Sequence, residues 1–352
     1  WRVPALSARL PVAVGETKLR PDNSRRIVAA ADPARASGPH GGRSNQVTYG
    51  VAMEPGTLTR RMAGVFAPIS TPFADDESLD LDGLRFNLER YADTGLLGYL
   101  ALGSNGENRS LTEEEKLQVL GTIVRHKGPG QVVMAGATYD AQRDTERFLR
   151  QAADLGADFG LVLSPGYFRK QMTDDVLYRY FAGVADQSPL PVLLYNAPGF
   201  CGVTLSPALV GRLAAHPNIV GMKDSAASGI ENFLPFESDS FHVLAGSANF
   251  LLAAMLAGSL GGTVSLANSF PAMSVELLRC GQARDEARGV PLQDRVTRIN
   301  KAISGQYGVS GVKAAMNLAG YRGGIPRRPL LPLTDEQLEA MRQVLAQERL
   351  LP

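Results

Sequence analysis

Three polar clusters close apolar runs of this 352-residue chain, and their side chains suit carbonyl chemistry. The first is Asn218-Ile-Val-Gly-Met-Lys223-Asp-Ser, where a lysine ends an apolar strand. Lysine is scarce here, seven residues against 29 arginines, so surface decoration explains this one poorly. Period-two alternation puts Lys223 on the face of Ile219 and Gly221. Burial there disfavours the ammonium and yields an amine able to attack a carbonyl and form a Schiff base. A buried lysine paired with a carboxylate such as Asp224 is the competing reading. The second cluster is Val192-Leu-Leu-Tyr195-Asn-Ala-Pro198. Its tyrosine either relays a proton through the hydroxyl or only packs, with a wet tip. The third is Leu102-Gly-Ser104-Asn105-Gly106-Glu107. Backbone amides there, with the Ser104 and Asn105 side chains, either hold a carboxylate or form an ordinary Asx or Ser turn.

Other chemistries find less support. His40, His126, His216 and His242 are scattered without ligand spacing, and neither H-x-x-x-H nor C-x-x-C occurs, which argues against a metal-dependent aldolase. Cys201 has no histidine placed as its base and reads as a free buried thiol; two cysteines in all make no disulfide framework. Gly261-Gly262-Thr263 opens an apolar run rather than ending one, so it reads as packing rather than a phosphate cradle. Lys313 lies on a helical pattern and reads as solvated.

The elements that must position these clusters are visible as apolar runs rich in β-branched residues. They are Gly64–Ser70, Gly98–Gly103, Gln131–Ala137, Phe159–Ser164, Pro191–Asn196, Asn218–Asp224, Phe241–Gly246 and Gly261–Ala267. Amphipathic stretches alternate with them: Leu81, Leu84, Leu88 and Tyr91 keep helical spacing, and Thr112 with Glu115 predicts a capping box. Eight strand-then-helix units imply an α/β fold of the (β/α)8 TIM-barrel type, whose buried parallel strands read as continuous apolar runs. A doubly wound sheet is the alternative, but no G-x-G-x-x-G follows the first strand. Helical patterns at Arg295–Ser304, Gly311–Leu318 and Thr334–Ala346 predict a C-terminal helical appendage. The expected organisation is an extension over 1–60, a barrel over 61–275 and C-terminal helices over 276–352.

Composition bounds the function. With 44% hydrophobic residues the chain has material for a packed core. A formal charge of +1 supplies no field to attract nucleic acid or an anionic membrane. Apolar stretches such as Phe250–Ala257 fall short of the roughly 18–20 residues a spanning helix needs. Residues 1–60 differ, with nine basic residues against four acidic ones and a flexible Ser-Gly-Pro-His-Gly-Gly at 37–42. They read as a disordered or non-native extension, the first methionine being Met53. A cytoplasmic location is expected, or a mitochondrial one if residues 1–52 are a genuine leader.

Gly-Ser-Asn-Gly-Glu at 103–107, Tyr-Asn-Ala-Pro at 195–198 and Gly-Met-Lys-Asp-Ser at 221–225, in that order and spacing, resemble the dihydrodipicolinate synthase and N-acetylneuraminate lyase family. Supporting pieces are Pro68–Phe73, Ser164–Tyr167, Leu244–Ser247 and Val264–Asn268. The resemblance runs from about Ala63 to about Leu333. It implies a pyruvate-type class I aldolase on a (β/α)8 barrel, acting on a small 2-oxo acid and an aldehyde. It also implies no cofactor beyond the lysine imine, and a homo-oligomer, a tight dimer or tetramer.

Carried over by position, Lys223 resembles the Schiff-base lysine, and Tyr195 the relay tyrosine and general acid/base. Ser104 resembles the relay hydroxyl and, with Asn105, the holder of the keto-acid carboxylate. Tyr167 resembles the relay tyrosine supplied across a dimer interface, its neighbour Phe168 lacking a hydroxyl. Gly246 and Val264 resemble the lining of the pyruvyl group. Two departures bear on the substrate. Phe200 stands where the synthases carry an arginine that grips the aldehyde's carboxylate, and an apolar ring cannot replace that partner. Asn105 and Ser225 resemble instead the 4-hydroxy-2-oxoglutarate and sugar-acid aldolases, although Phe200 is not the asparagine expected of the mitochondrial form.

Overall fold

Eight short strands carry no exposed residue, as parallel strands covered on both sides must be. They are β1 (Val65–Pro68), β2 (Gly98–Ala101), β3 (Val132–Ala137), β4 (Phe159–Leu163), β5 (Val192–Asn196), β6 (Ile219–Asp224), β7 (His242–Ala245) and β8 (Gly261–Thr263). Each pairs in parallel with the next, and β8 returns to β1, closing the barrel. The computed structural model describes residues 56–351. Expectations for residues 1–55, including the start at Met53, lie outside the described residues.

The helices follow from local chemistry. Leu81–Tyr91 buries Leu84, Leu88 and Tyr91, and the Asp80 side chain accepts the Gly83 amide at its start. Glu113–His126 begins on the capping box expected of Thr112 and Glu115. A short helix, Thr57–Met62, starts before the boundary expected at residue 60, because Leu58 and Met62 are buried in the core. Beyond β8 come the helices Pro271–Gln282, Glu286–Asn300, Gln306–Leu318 and Asp335–Gln347. The boundary expected at 275 falls inside the first of these. A π turn, Lys301–Gly305, joins the second to the third. Barrel and C-terminal helices belong to one compact unit. No helix among the described residues is long and apolar enough to cross a membrane.

The eighth strand is shorter than its apolar run. After Thr263 the chain bends into a 3-10 turn, Ser265–Asn268, instead of continuing to Ala267. The reason is Asn268, whose side chain accepts the Ser70 amide at 3.1 Å and donates to the Pro68 carbonyl at 3.0 Å. Satisfying those buried backbone groups outweighs further strand pairing. Gly261 serves packing as anticipated, since a Cβ there would lie 2.1 Å from the Gly64 carbonyl oxygen.

Candidate active site

Strand register brings the first two clusters together. Tyr195 on β5 and Lys223 on β6 are paired neighbours near the C-terminal ends of their strands, the end where barrels of this kind place their chemistry. Lys223 is 5% exposed, and its Nζ lies 3.5 Å from the Tyr195 hydroxyl and 4.5 Å from the ring centroid. The Ser104 hydroxyl, just past β2, is 3.5 Å from the same Tyr195 oxygen. Serine, tyrosine and lysine thus form a continuous polar path through a buried site. No carboxylate pairs with Lys223 among the described residues. Asp224, its sequence neighbour, sits on the other face of β6, where it accepts from the Asn196 side chain at 2.7 Å and the Ala226 amide at 3.2 Å. Burial raises the Asp224 pKa against those two hydrogen bonds. The reading of Lys223 as a partner of Asp224 therefore gives way.

The turn after β2 is tightly constrained. Ser104–Gly106 is a 3-10 turn between Leu102 and Glu107, both in the left-handed region at φ 58° and φ 50°. Thr71 donates to the Gly106 carbonyl at 2.8 Å, and Asn105 donates to the Ser265 hydroxyl at 2.7 Å. Residues with side chains pay for such backbone angles only where their surroundings over-determine them. Glu107 supplies that constraint. Its side chain is 1% exposed, one oxygen lies 2.5 Å from Lys313 Nζ, and the other accepts the Arg327 amide at 2.8 Å.

Lys313 is therefore not solvated, contrary to the reading from its helical pattern. Its side chain is 1% exposed, donates to the Ile325 carbonyl at 2.6 Å and stands 4.2 Å over the Phe73 ring. Burial pushes its pKa down to about 8 against the pull of Glu107. Nothing in the sequence signals that these two residues pair, although lysine scarcity applies to Lys313 as it does to Lys223.

The remaining site residues divide between wall and rim. Ser225 follows β6, and its buried hydroxyl has no partner among the described residues. Gly246, after β7, leaves room for it: a Cβ at 246 would fall 2.0 Å from the Ser225 oxygen. Val264 is fully buried and donates its amide to the Phe66 carbonyl, tying the end of β8 to β1. Phe200, on the short helix Pro198–Cys201 after β5, is 66% exposed. Cys201 beside it is a buried free thiol whose pKa burial raises, as an inert core cysteine requires. Tyr167 is 80% exposed and packs edge-on against Phe168, with no hydrogen bond to Ser104 or Tyr195 among the described residues. Ser104, Tyr167 and Phe200 line one cavity of about 1010 Å³. The fold thus joins Ser104, Tyr195 and Lys223, and leaves Tyr167 standing off at the rim. No cluster of three metal-ligating side chains occurs among the described residues.

Residues 61–348 match the Dihydrodipicolinate synthetase family. The chain belongs to this family. A 4-hydroxy-tetrahydrodipicolinate synthase of Methanothrix thermoacetophila is 34% identical over 285 residues, spanning 80% of this chain and 95% of the relative. An L-threo-3-deoxy-hexylosonate aldolase of Aspergillus niger is 30% identical over 310 residues, spanning 79% and 92%. Among solved structures, a prophage protein of the same family from E. coli K12, in complex with pyruvate, superposes with a TM-score of 0.76 at 29% identity, covering 82% and 98%. Family membership makes the chain an enzyme, a carbon–carbon lyase of the aldolase type.

Proposed function

We propose that this family member is a Schiff-base aldolase that cleaves or forms a 4-hydroxy-2-oxo acid with pyruvate as the keto partner. The observation that carries the reading is the Ser104–Tyr195–Lys223 path, with a buried lysine free of any carboxylate among the described residues. A buried lysine side chain with no carboxylate partner is unusual for a merely structural residue, and expected of a nucleophile.

In the cleavage direction the Lys223 amine adds to the C2 ketone and expels water, forming an imine. Ser104, Asn105 and the amides of their turn hold the adjacent carboxylate. Tyr195 gives up its proton as the water leaves, its phenolate oxygen then takes the proton of the 4-hydroxyl, the C3–C4 bond breaks, and its electron pair passes into the protonated imine as an enamine. The aldehyde leaves, C3 is reprotonated through Tyr195, and water returns pyruvate and the free lysine. The imine is the electron sink, so the reaction needs no cofactor. Tyr167 completes the relay only if a second copy of the chain brings its hydroxyl to the site, which makes a homo-oligomer part of the proposal.

Incubation with pyruvate and borohydride, followed by peptide mass spectrometry, tests the reading. A pyruvate-sized adduct on the peptide holding Lys223 is expected; pyruvate binding with no adduct would overturn it. Tyr195→Phe should lower turnover roughly 10²- to 10⁴-fold, the usual worth of a positioned proton relay, while imine formation slows but stays detectable. Unchanged turnover would remove Tyr195 from the mechanism.

A second reading, condensation of pyruvate with aspartate semialdehyde, draws support from the name of the archaeal relative. Against it, the exposed ring of Phe200 offers no group to hold that aldehyde's carboxylate. A coupled assay with aspartate semialdehyde separates the two.

A further inference from the structure

Glu107 is an awkward neighbour for a carboxylate substrate. It closes the Ser104–Gly106 turn, donates its amide to the Ser104 carbonyl at 3.1 Å and lines the same cavity as Ser104. Three residues of 3-10 turn, at about 2 Å of rise each, put its side chain within roughly 10 Å of anything held at Ser104. Its carboxylate nonetheless has a structural task, since one oxygen accepts the Arg327 amide at 2.8 Å and so fastens the segment before the last helix to the turn. An ionised glutamate left unpaired there would repel a second carboxylate held beside Ser104 and Asn105.

Two nearby arginines are committed elsewhere. The Arg327 guanidinium grips both oxygens of Glu115 at 2.8 Å, and Arg109 faces Asp140 at 3.9 Å. Lys313 has no acidic partner but Glu107 among the described residues. It reaches the turn from the far side, for it comes from the helix Gln306–Leu318 and lines a separate cavity of about 350 Å³ with Asn317 and Arg342. The pair is neutral whichever of its two atoms holds the shared proton. The turn therefore meets the substrate cavity with no net charge from Glu107.

We propose that Lys313 is the charge-compensating residue of the carboxylate site: by cancelling Glu107 beneath the Ser104 turn, it lets that turn hold the carboxylate of the keto acid without repulsion. The inference rests on the aldolase reading above and adds to it a residue that touches neither the substrate nor Lys223. Stability and compensation make different demands on the pair. A purely structural pair makes its two single variants alike, because each strands one buried charge. Compensation makes them opposite, because removing Lys313 leaves a surplus negative charge at the turn and removing Glu107 a surplus positive one.

The test measures binding of pyruvate to the full chain by calorimetry at pH 7, beside methyl pyruvate, its uncharged ester. Lys313→Met should weaken pyruvate binding roughly 10- to 100-fold, the scale of two like charges within about 10 Å at an effective dielectric constant near 20, and leave the ester unchanged. Glu107→Gln should bind pyruvate no more weakly than wild type. The double variant Glu107→Gln/Lys313→Met should bind it as wild type does, since the site is again neutral. Should Lys313→Met fail to fold, Lys313→Gln, which keeps a donor toward Glu107, takes its place with the same expectation. A lysine variant that alters both ketones alike or neither, or a Glu107→Gln variant that weakens pyruvate as much as the lysine variant does, would overturn the assignment. Borohydride trapping on the same proteins keeps the two claims apart. With no pyruvate adduct on the wild type, the aldolase reading fails; with an adduct on Lys223 in every variant but binding indifferent to charge, only the role of Lys313 fails. A wild type that binds no pyruvate refutes both.

Discussion

On the proposed aldolase reading, Lys223→Met should abolish the trapped pyruvate adduct and lower turnover by roughly 10⁵-fold or more, the scale seen when a covalent nucleophile is removed. Without the amine there is no imine, and the electrons of the C3–C4 bond have nowhere to go. The fold should not suffer. Lys223 is 5% exposed and has no salt bridge among the described residues, so methionine fills the same space while relieving a buried polar group of its desolvation. Melting temperature at or above that of the wild type, together with the loss of activity, is the expected pair of results, a local case of stability given up for function. An adduct that survives in Lys223→Met would point to another amine. Lys313 is the buried alternative, but its Nζ lies 2.5 Å from Glu107 and it does not share the Tyr195 contact.

Lys313→Met has the opposite profile. Removing one partner of a buried ion pair leaves the other charge uncompensated, at a cost of about 3–5 kcal/mol. Here the stranded group is Glu107, which also anchors Arg327, whose guanidinium in turn holds Glu115 at 2.8 Å and the Ser110 carbonyl at 2.7 Å. Urea unfolding should show a midpoint well below wild type for Lys313→Met and for Glu107→Gln separately. The double variant Glu107→Gln/Lys313→Met should recover most of the loss, because a neutral pair of similar volume removes the desolvation of both charges. A double variant no more stable than either single one would show that the pair is not the unit that matters.

The contrast between these two lysines shows where sequence reasoning reached. Lys223 ends a strand that alternates, and alternation assigns a face without knowledge of the partner. Lys313 lies on the helix Gln306–Leu318, and helical spacing does not reveal that a carboxylate more than two hundred residues earlier meets it at the base of the site. Asn268 is a similar case: its run is apolar enough for a strand, and only the unpaired backbone of β1 explains why the chain turns there. Tyr167, marked by its motif, stands exposed at the rim, and no spacing in the sequence could show its distance from Tyr195.

Sequence by itself determined the barrel, because eight parallel strands buried on both faces must be written as eight continuous apolar runs. It pointed to the family as well, through the strand-end lysine, tyrosine and serine-asparagine motifs, and residues 61–348 match that family. Tertiary structure alone decided which charges are paired. That Asp224 pairs with Asn196 rather than with Lys223, and that Glu107 after β2 meets Lys313, are facts of proximity between distant segments. Pairing energies fall off within a few ångströms, and closure of the barrel is what brings those segments within that range.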